Sequence, residues 1–252
     1  MRSLKIAALG LLAAAATVGS AASAASYDAV ADFGNPVFTY GGGSTGAGFT
    51  ALTNIDAVNC VGTPGISCYN TPGTDYTFPL IAKNISTSNP LTFYTNVLPK
   101  DELFMQSNPG SEAIIRFTAP TAGRYTFSGQ FERIDSSNGY GDGSTVGISG
   151  AGWDASAVLA NSRAGDVASY TYSFANTLVL GAGQSIDFFQ SANSNVYWDG
   201  TGFKLSVSSH PDHSITVGGV PEPASWAMMV GGFGMVGGAL RSRRSKAAVR
   251  FG

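Results

Sequence analysis

From Ala113 onward, apolar and polar residues alternate one by one. Ile115 and Phe117 are set against Arg116 and Thr118, and Tyr125, Phe127 and Phe131 against Thr126, Ser128, Gln130 and Glu132. Tyr170, Tyr172 and Phe174 alternate with Ser169, Thr171 and Ser173, and Phe203, Leu205 and Val207 with Lys204, Ser206 and Ser208. Ile186 and Phe188 flank Asp187 in the same way. Successive side chains of an extended chain point to opposite faces, so each run has one greasy face and one wet face. Turn formers such as Pro120-Thr121-Ala122-Gly123 separate the runs. The pattern predicts an all-β body of two packed antiparallel sheets.

Before Ala113 the signal is weaker. Residues 33–40 and 49–55 read as strands split by Gly41-Gly42-Gly43-Ser44-Thr45-Gly46. Thr71-Pro72-Gly73-Thr74-Asp75 is a turn, and residues 76–85 and 91–97 follow as strands. No stretch of the body has a helical period, although residues 154–160 fit a short helical turn.

Both ends stand apart from the body. Arg2 and Lys5 precede an apolar run over residues 6–18 and then small residues, Ala22-Ser23-Ala24 or Ser23-Ala24-Ala25. That order is a signal peptide over residues 1–25, cut by signal peptidase at Ala24 or Ala25. At the other end, residues 226–240 carry no charge, and 15 residues of helix would reach about 22 Å. This is short of a comfortable membrane span, for which about 20 residues are needed. Trp226 stands where an interfacial aromatic belongs, and Arg241, Arg243, Arg244, Lys246 and Arg250 where positive-inside charge belongs. Gly231, Gly232, Gly234, Gly237 and Gly238 permit close helix contact but weaken the helix.

Pro221-Glu222-Pro223-Ala224-Ser225-Trp226-Ala227, the apolar run and the Arg241, Arg243, Arg244 cluster together resemble a PEP-CTERM sorting signal. The same segment is also called the ice-binding protein C-terminal domain, a label for the tail that implies no ice binding. The resemblance covers residues 220–245, with a basic tail over 246–252. It implies recognition by an exosortase, a membrane transpeptidase-like protease, and delivery to the cell envelope or an exopolysaccharide matrix after transient anchoring in the inner membrane by a short transmembrane helix. A second resemblance lies over residues 98–208. Ala113-Ile114-Ile115-Arg116-Phe117-Thr118-Ala119-Pro120-Thr121-Ala122-Gly123 and Tyr197-Trp198-Asp199-Gly200-Thr201-Gly202-Phe203 look like a recurring bacterial extracellular jelly-roll module. It implies a jelly-roll-like sandwich for the 26–208 body, clearest over 97–208, with a linker at 209–219. Modules of this kind resemble carbohydrate-binding domains in fold, which by itself says nothing of function.

The body's charge narrows its partners. Residues 26–220 hold seven Lys or Arg and 15 Asp or Glu, a net charge of −8. A nucleic-acid partner would require a basic face, and this composition excludes one. Cys60 and Cys68 bracket a loop of turn formers, Val61 to Ser67, and in an oxidising compartment such a pair forms a disulfide.

The candidate chemistry is sparse. Two histidines, His210 and His213, sit in a linker with no nucleophile beside them, and no nucleophile elbow, zincin motif or phosphate loop occurs. Asp135, Asn138 and Asp142 crowd oxygen donors into a turn-rich stretch that suits Ca²⁺, with Asp187 and Asp199 placed to complete a site; their alternative role is as turn residues. Tyr140, Trp153, Tyr197 and Trp198 lie in or beside loops, where aromatics stack on sugars; their alternative is core packing. The expected protein is an exported, non-enzymatic envelope or matrix protein associated with exopolysaccharide or biofilm. The alternatives are a carbohydrate-binding module and, behind it, a glycan hydrolase.

Overall fold

The computed structural model describes residues 24–44, 48–71, 78–137, 141–160 and 170–210, together with Phe233. In chain order the early strands are β1 (Ser26–Asp28), β2 (Phe38–Gly43), β3 (Thr50–Ala51), β4 (Asn54–Asp56), β5 (Ile66–Asn70), β6 (Leu80–Asn84), β7 (Leu91–Phe93), β8 (Asn96–Leu98) and β9 (Leu103–Gln106). The later ones are β10 (Glu112–Thr118), β11 (Gly123–Arg133), β12 (Ser144–Ser149), β13 (Ala155–Leu159), β14 (Thr171–Leu180), β15 (Ser185–Ala192) and β16 (Thr201–His210). One sheet has the order β14-β11-β16-β9-β6-β5-β4, with β1 also paired to β16. The other has the order β13-β12-β15-β10-β2-β3, and β7 and β8 form a separate hairpin. All the named strand pairs are antiparallel. From β10 to β16 the chain passes repeatedly between the sheets, so neighbours within a sheet are seldom consecutive in sequence. This is a jelly-roll-like antiparallel sandwich.

The alternation seen in the sequence sorts side chains between core and water. Tyr125, Phe127 and Phe131 of β11 and Phe203, Leu205 and Val207 of β16 are buried, and they meet Ile115, Phe117, Ile186 and Phe188 from the facing sheet. Phe131 packs on Phe203 at 4.8 Å, and Phe117 stands edge-on to Phe127 at 5.5 Å. The wet face of β10 is tied by Arg116, whose Nε and Nη2 donate to Asp187 at 2.6 and 2.8 Å.

A second, smaller core lies on the other face of β5, β6 and β9. Leu80 and Ala82 of β6 and Phe104 of β9 turn to it, together with Cys60, Ile66, Cys68, Phe93, Leu98 and Ile134. The intervening Ile81, Leu103 and Met105 belong to the main core. This flank of the sheet is therefore covered on both faces, and its strands read as unbroken apolar runs, Leu80-Ile81-Ala82 and Leu103-Phe104-Met105. The β7–β8 hairpin and the Cys60–Cys68 disulfide close the cover.

Several expected elements differ. Residues 154–160 contain strand β13 in place of a helical turn, because pairing with β12 overrides the helix-favouring Ala-Ser-Ala-Val-Leu. Residues 91–97 are not one strand: Tyr94 and Thr95 turn the chain, and Phe93 pairs with Asn96. In the 33–40 stretch a strand begins only at Phe38; before it, Asp28 Oδ1 accepts the Val30 and Ala31 N–H groups, and Gly34 takes φ 90°. Residues 49–55 divide between β3 and β4, which lie in different sheets. β16 continues to His210, so Ser209 and His210 belong to the sheet and not to a linker. Among the described residues no helix is long and apolar enough to cross a membrane. The signal-peptide core and the 220–252 tail lie outside those residues.

Candidate ligand cleft

A cleft of about 690 Å³ opens beside the second core. Its size falls within the ordinary range for small-molecule sites, roughly 300–1,000 Å³. One wall is the tip of the β7–β8 hairpin, with Phe93, Tyr94, Thr95 and Asn96. Val196-Tyr197-Trp198, from the segment joining β15 to β16, form another wall. Leu80, Phe104, Gln106 and Asn108 line it between them.

The walls are held by specific bonds. Thr95 Oγ1 donates to Asp135 Oδ2 at 2.7 Å, Ser136 N–H donates to Thr95 O at 2.7 Å, and Val97 N–H donates to Ile134 O at 3.0 Å. These fasten the hairpin to the segment that follows β11. Gln106 Nε2 donates to Val196 O at 2.5 Å, and Tyr197 N–H donates to Asn195 Oδ1 at 2.9 Å, fastening the other wall.

The aromatic groups are presented to solvent. Tyr94 is 59 % exposed, Tyr197 65 % and Trp198 37 %, and the Tyr197 and Trp198 rings lie 5.6 Å apart. Tyr94 and Trp198 have φ of 50° and 62°, and the described residues contain one other non-glycine with positive φ, Ala151. The left-handed region costs a bulky residue about 1–3 kcal/mol. Two such residues lining one cleft mark it as a site where ring position is held at the expense of local stability. Asn96 adds a buried Oδ1 with no hydrogen-bond partner among the described residues.

Asp199 follows Trp198 and is 2 % exposed. Burial, then the negative charge of Asp142, pushes its carboxyl up to about 7, against the opposing effect of Arg133. The Gly143 N–H also acts weakly to lower it, but neither carboxylate oxygen completes a hydrogen bond of good geometry. Asp142 is held below the usual carboxylate range, chiefly by the Ser194 hydroxyl. Among the described residues no three His, Cys, Asp or Glu side chains gather as a metal cluster.

A second hollow, of about 740 Å³, runs over the outer face of β11, β14 and β16. Asp101, Gln130, Ser173, Lys204 and Ser206 line it, and Lys204 Nζ donates to Glu102 Oε1 at 3.1 Å. Phe174, its one aromatic lining residue, is buried, so it offers no ring for stacking.

No family model and no curated protein matches the chain. Solved structures do. A CBM35 module of Abf62 from Cellvibrio japonicus is 17 % identical, at a TM-score of 0.26, with 48 % of this chain and 80 % of that one covered. A family 35 carbohydrate-binding module from Clostridium thermocellum is 13 % identical, at a TM-score of 0.29, with 62 % and 99 % covered. A C-terminal CBM6 module of a laminarinase from Zobellia galactanivorans is 8 % identical, at a TM-score of 0.23, with 68 % and 99 % covered. Likeness at this level carries no argument about a ligand.

The sequence-derived candidates fall in different places. Trp198 lines the cleft. Trp153 packs against the main core, on Phe127 at 5.7 Å and Phe174 at 5.9 Å, so its fate is the packing alternative. Asp135 engages both oxygens internally, with Thr95 Oγ1 on one and Ser137 N–H and Oγ on the other. Asp142 lies beside Asp199, whereas Asp187 is paired with Arg116 on the second sheet. Cys60 and Cys68 are joined, with their Cα atoms 5.8 Å apart. Ala24 and Ala25 lead into β1, and Ala25 N–H donates to Ser209 Oγ at 2.8 Å. His210 is exposed on β16, with Nε2 3.2 Å from Thr126 Oγ1. Asn138, Tyr140, His213 and the motif residues Pro221, Glu222, Pro223, Trp226, Ala227, Arg241, Arg243 and Arg244 lie outside the described residues. Tyr94 was missed. Its signal in the sequence was the short Phe93-Tyr94-Thr95-Asn96 turn, concealed inside an apparently continuous strand.

Proposed function

We propose that this is an exported, non-enzymatic glycan-binding protein of the cell envelope or matrix, and that the Tyr94–Trp198 cleft is its binding site. The observation that carries the reading is the cleft itself. Exposed rings supply apolar platforms for the C–H faces of a pyranose, and the neighbouring Asn96, Gln106 and Asn108 amides supply partners for its hydroxyls. The acidic body favours a neutral or cation-bridged polysaccharide over a polyanion. The disulfide suits an oxidising compartment, which supports export.

The sorting reading rests on the tail's residues. Exosortase is the partner it implies, with signal peptidase acting at the other end. The exopolysaccharide that such a system accompanies is then the natural glycan to try first. Full-length protein should be probed on an array of neutral and acidic polysaccharides that includes the host's own exopolysaccharide. Retention of one polysaccharide class by the wild type, and its loss in Tyr94→Ala, is expected. An array with no retained glycan, or one on which Tyr94→Ala is retained equally, would remove the cleft as the binding site.

A further inference from the structure

Two oxygen atoms approach Gly141, and the next residue is Asp142. Gly141 has φ +86°, and a Cβ there would stand 2.6 Å from Tyr197 O and 3.2 Å from Asp199 Oδ1. Asp199 is buried, and neither of its carboxylate oxygens completes a hydrogen bond of good geometry, although the Gly143 N–H bears weakly on the group. Asp142 buries Oδ1 in the same unpartnered way, while its Oδ2 accepts the Ser194 N–H at 2.6 Å and the Ser194 hydroxyl.

A carboxylate removed from water without a donor is costly, and proteins tolerate one where a cation completes it. The nearby cationic side chain does not do so. Arg133 directs Nη2 to Ser137 O at 2.8 Å and Nη1 to Ala160 O at 3.4 Å, and the carboxylate it approaches, at 4.0 Å, is that of Asp135. The donors left facing inward are hard oxygens, two anionic side chains and one main-chain carbonyl. Calcium takes such mixed sets and fills its remaining positions with water. Gly141 leaves the space a side chain would occupy.

We propose that Asp142, Asp199 and the main-chain oxygen of Tyr197 bind Ca²⁺. The ion ties the segment at Gly141–Asp142 to the back of the Tyr197–Trp198 wall and offsets the repulsion between the two carboxylates. Asp135, engaged elsewhere, is not a ligand. The inference does not rest on glycan binding.

The test uses full-length protein stripped with a chelator, its melting temperature then followed as calcium is added. At calcium about a hundredfold above Kd, the melting temperature should rise by about 5–10 °C. Asp199→Asn should abolish that rise while being no less stable than the wild type in chelator, because it removes an unpaired buried charge. Should that variant fail to fold, Asp142→Asn serves in its place. Terbium offers an independent reading: its luminescence should be sensitised by the adjacent Tyr197 and Trp198 rings and quenched by competing calcium. An unchanged melting temperature, an equal rise with magnesium, a rise retained in Asp199→Asn, or terbium that is not sensitised would each overturn the site.

Discussion

The β10–β16 sandwich and the flank around β5, β6 and β9 bury apolar residues by different rules. In the sandwich each strand gives one face to the core and one to water, and a single interior of Phe, Ile and Val side chains holds the sheets together. In the flank both faces are covered, one by the main core and the other by a hairpin, a disulfide and Phe104. The cleft opens on the flank and not on the regular sheets. The sandwich supplies rigidity, and the flank places rings at strained positions without having to carry the fold. Binding residues on a loop and hairpin tip, positioned by a stiff scaffold, are the usual division of labour.

The largest test of that division is in the main core. Phe131→Ala should cost about 3–5 kcal/mol by calorimetry, since it opens a cavity between the sheets. Glycan affinity at temperatures where the variant is folded should be unchanged. Next, Cys60→Ser with Cys68→Ser should cost about 2–3 kcal/mol. Amide exchange should rise over β4 to β9 and stay slow in β11 and β16; a uniform rise would mean that the flank is not a separate cooperative unit. Trp198→Gly should have the opposite balance. Removing the ring should weaken glycan binding at least tenfold, about 1.4 kcal/mol. The main chain, relieved at φ 62°, should be no less stable and up to about 1 kcal/mol more so.

The smallest effect concerns Glu102, at the edge of the outer hollow. Burial raises its carboxyl above 4.5, although Lys204 acts against the shift. The folded state therefore holds this proton more tightly than the unfolded chain does. That contribution to stability is complete below 4.5 and is lost as pH rises through the folded value. Glu102→Gln should flatten this part of the stability–pH curve and leave glycan binding unaffected.

The same difference explains what could be read from the sequence. Phe127, Phe131, Phe203 and Leu205 announce their face because their neighbours Ser128, Gln130, Lys204 and Ser206 meet water. Leu103-Phe104-Met105 announces nothing, because all three residues are buried on opposite sides of one strand. β13 was hidden by its own local propensity, and its pairing partner β12 decided it. At the cleft, Trp198 was visible as an aromatic in a turn-rich segment, but Tyr94 looked like a strand residue until the hairpin turned it outward. Trp153 carried the same local signal as Trp198, and only the packing of Phe127, Phe174 and Phe188 around it separates the two. Asp199 was legible as a turn acid; its burial beside Asp142 needed the loops to be brought together.

Tryptophan fluorescence tests glycan binding in the Tyr94–Trp198 cleft directly. Full-length protein would be titrated with oligosaccharides of the retained class, alongside Trp198→Phe and Trp153→Phe. Binding at the cleft should give a saturable change in the wild type and in Trp153→Phe that vanishes in Trp198→Phe. A change that survives in Trp198→Phe, or is absent from the wild type, would contradict it.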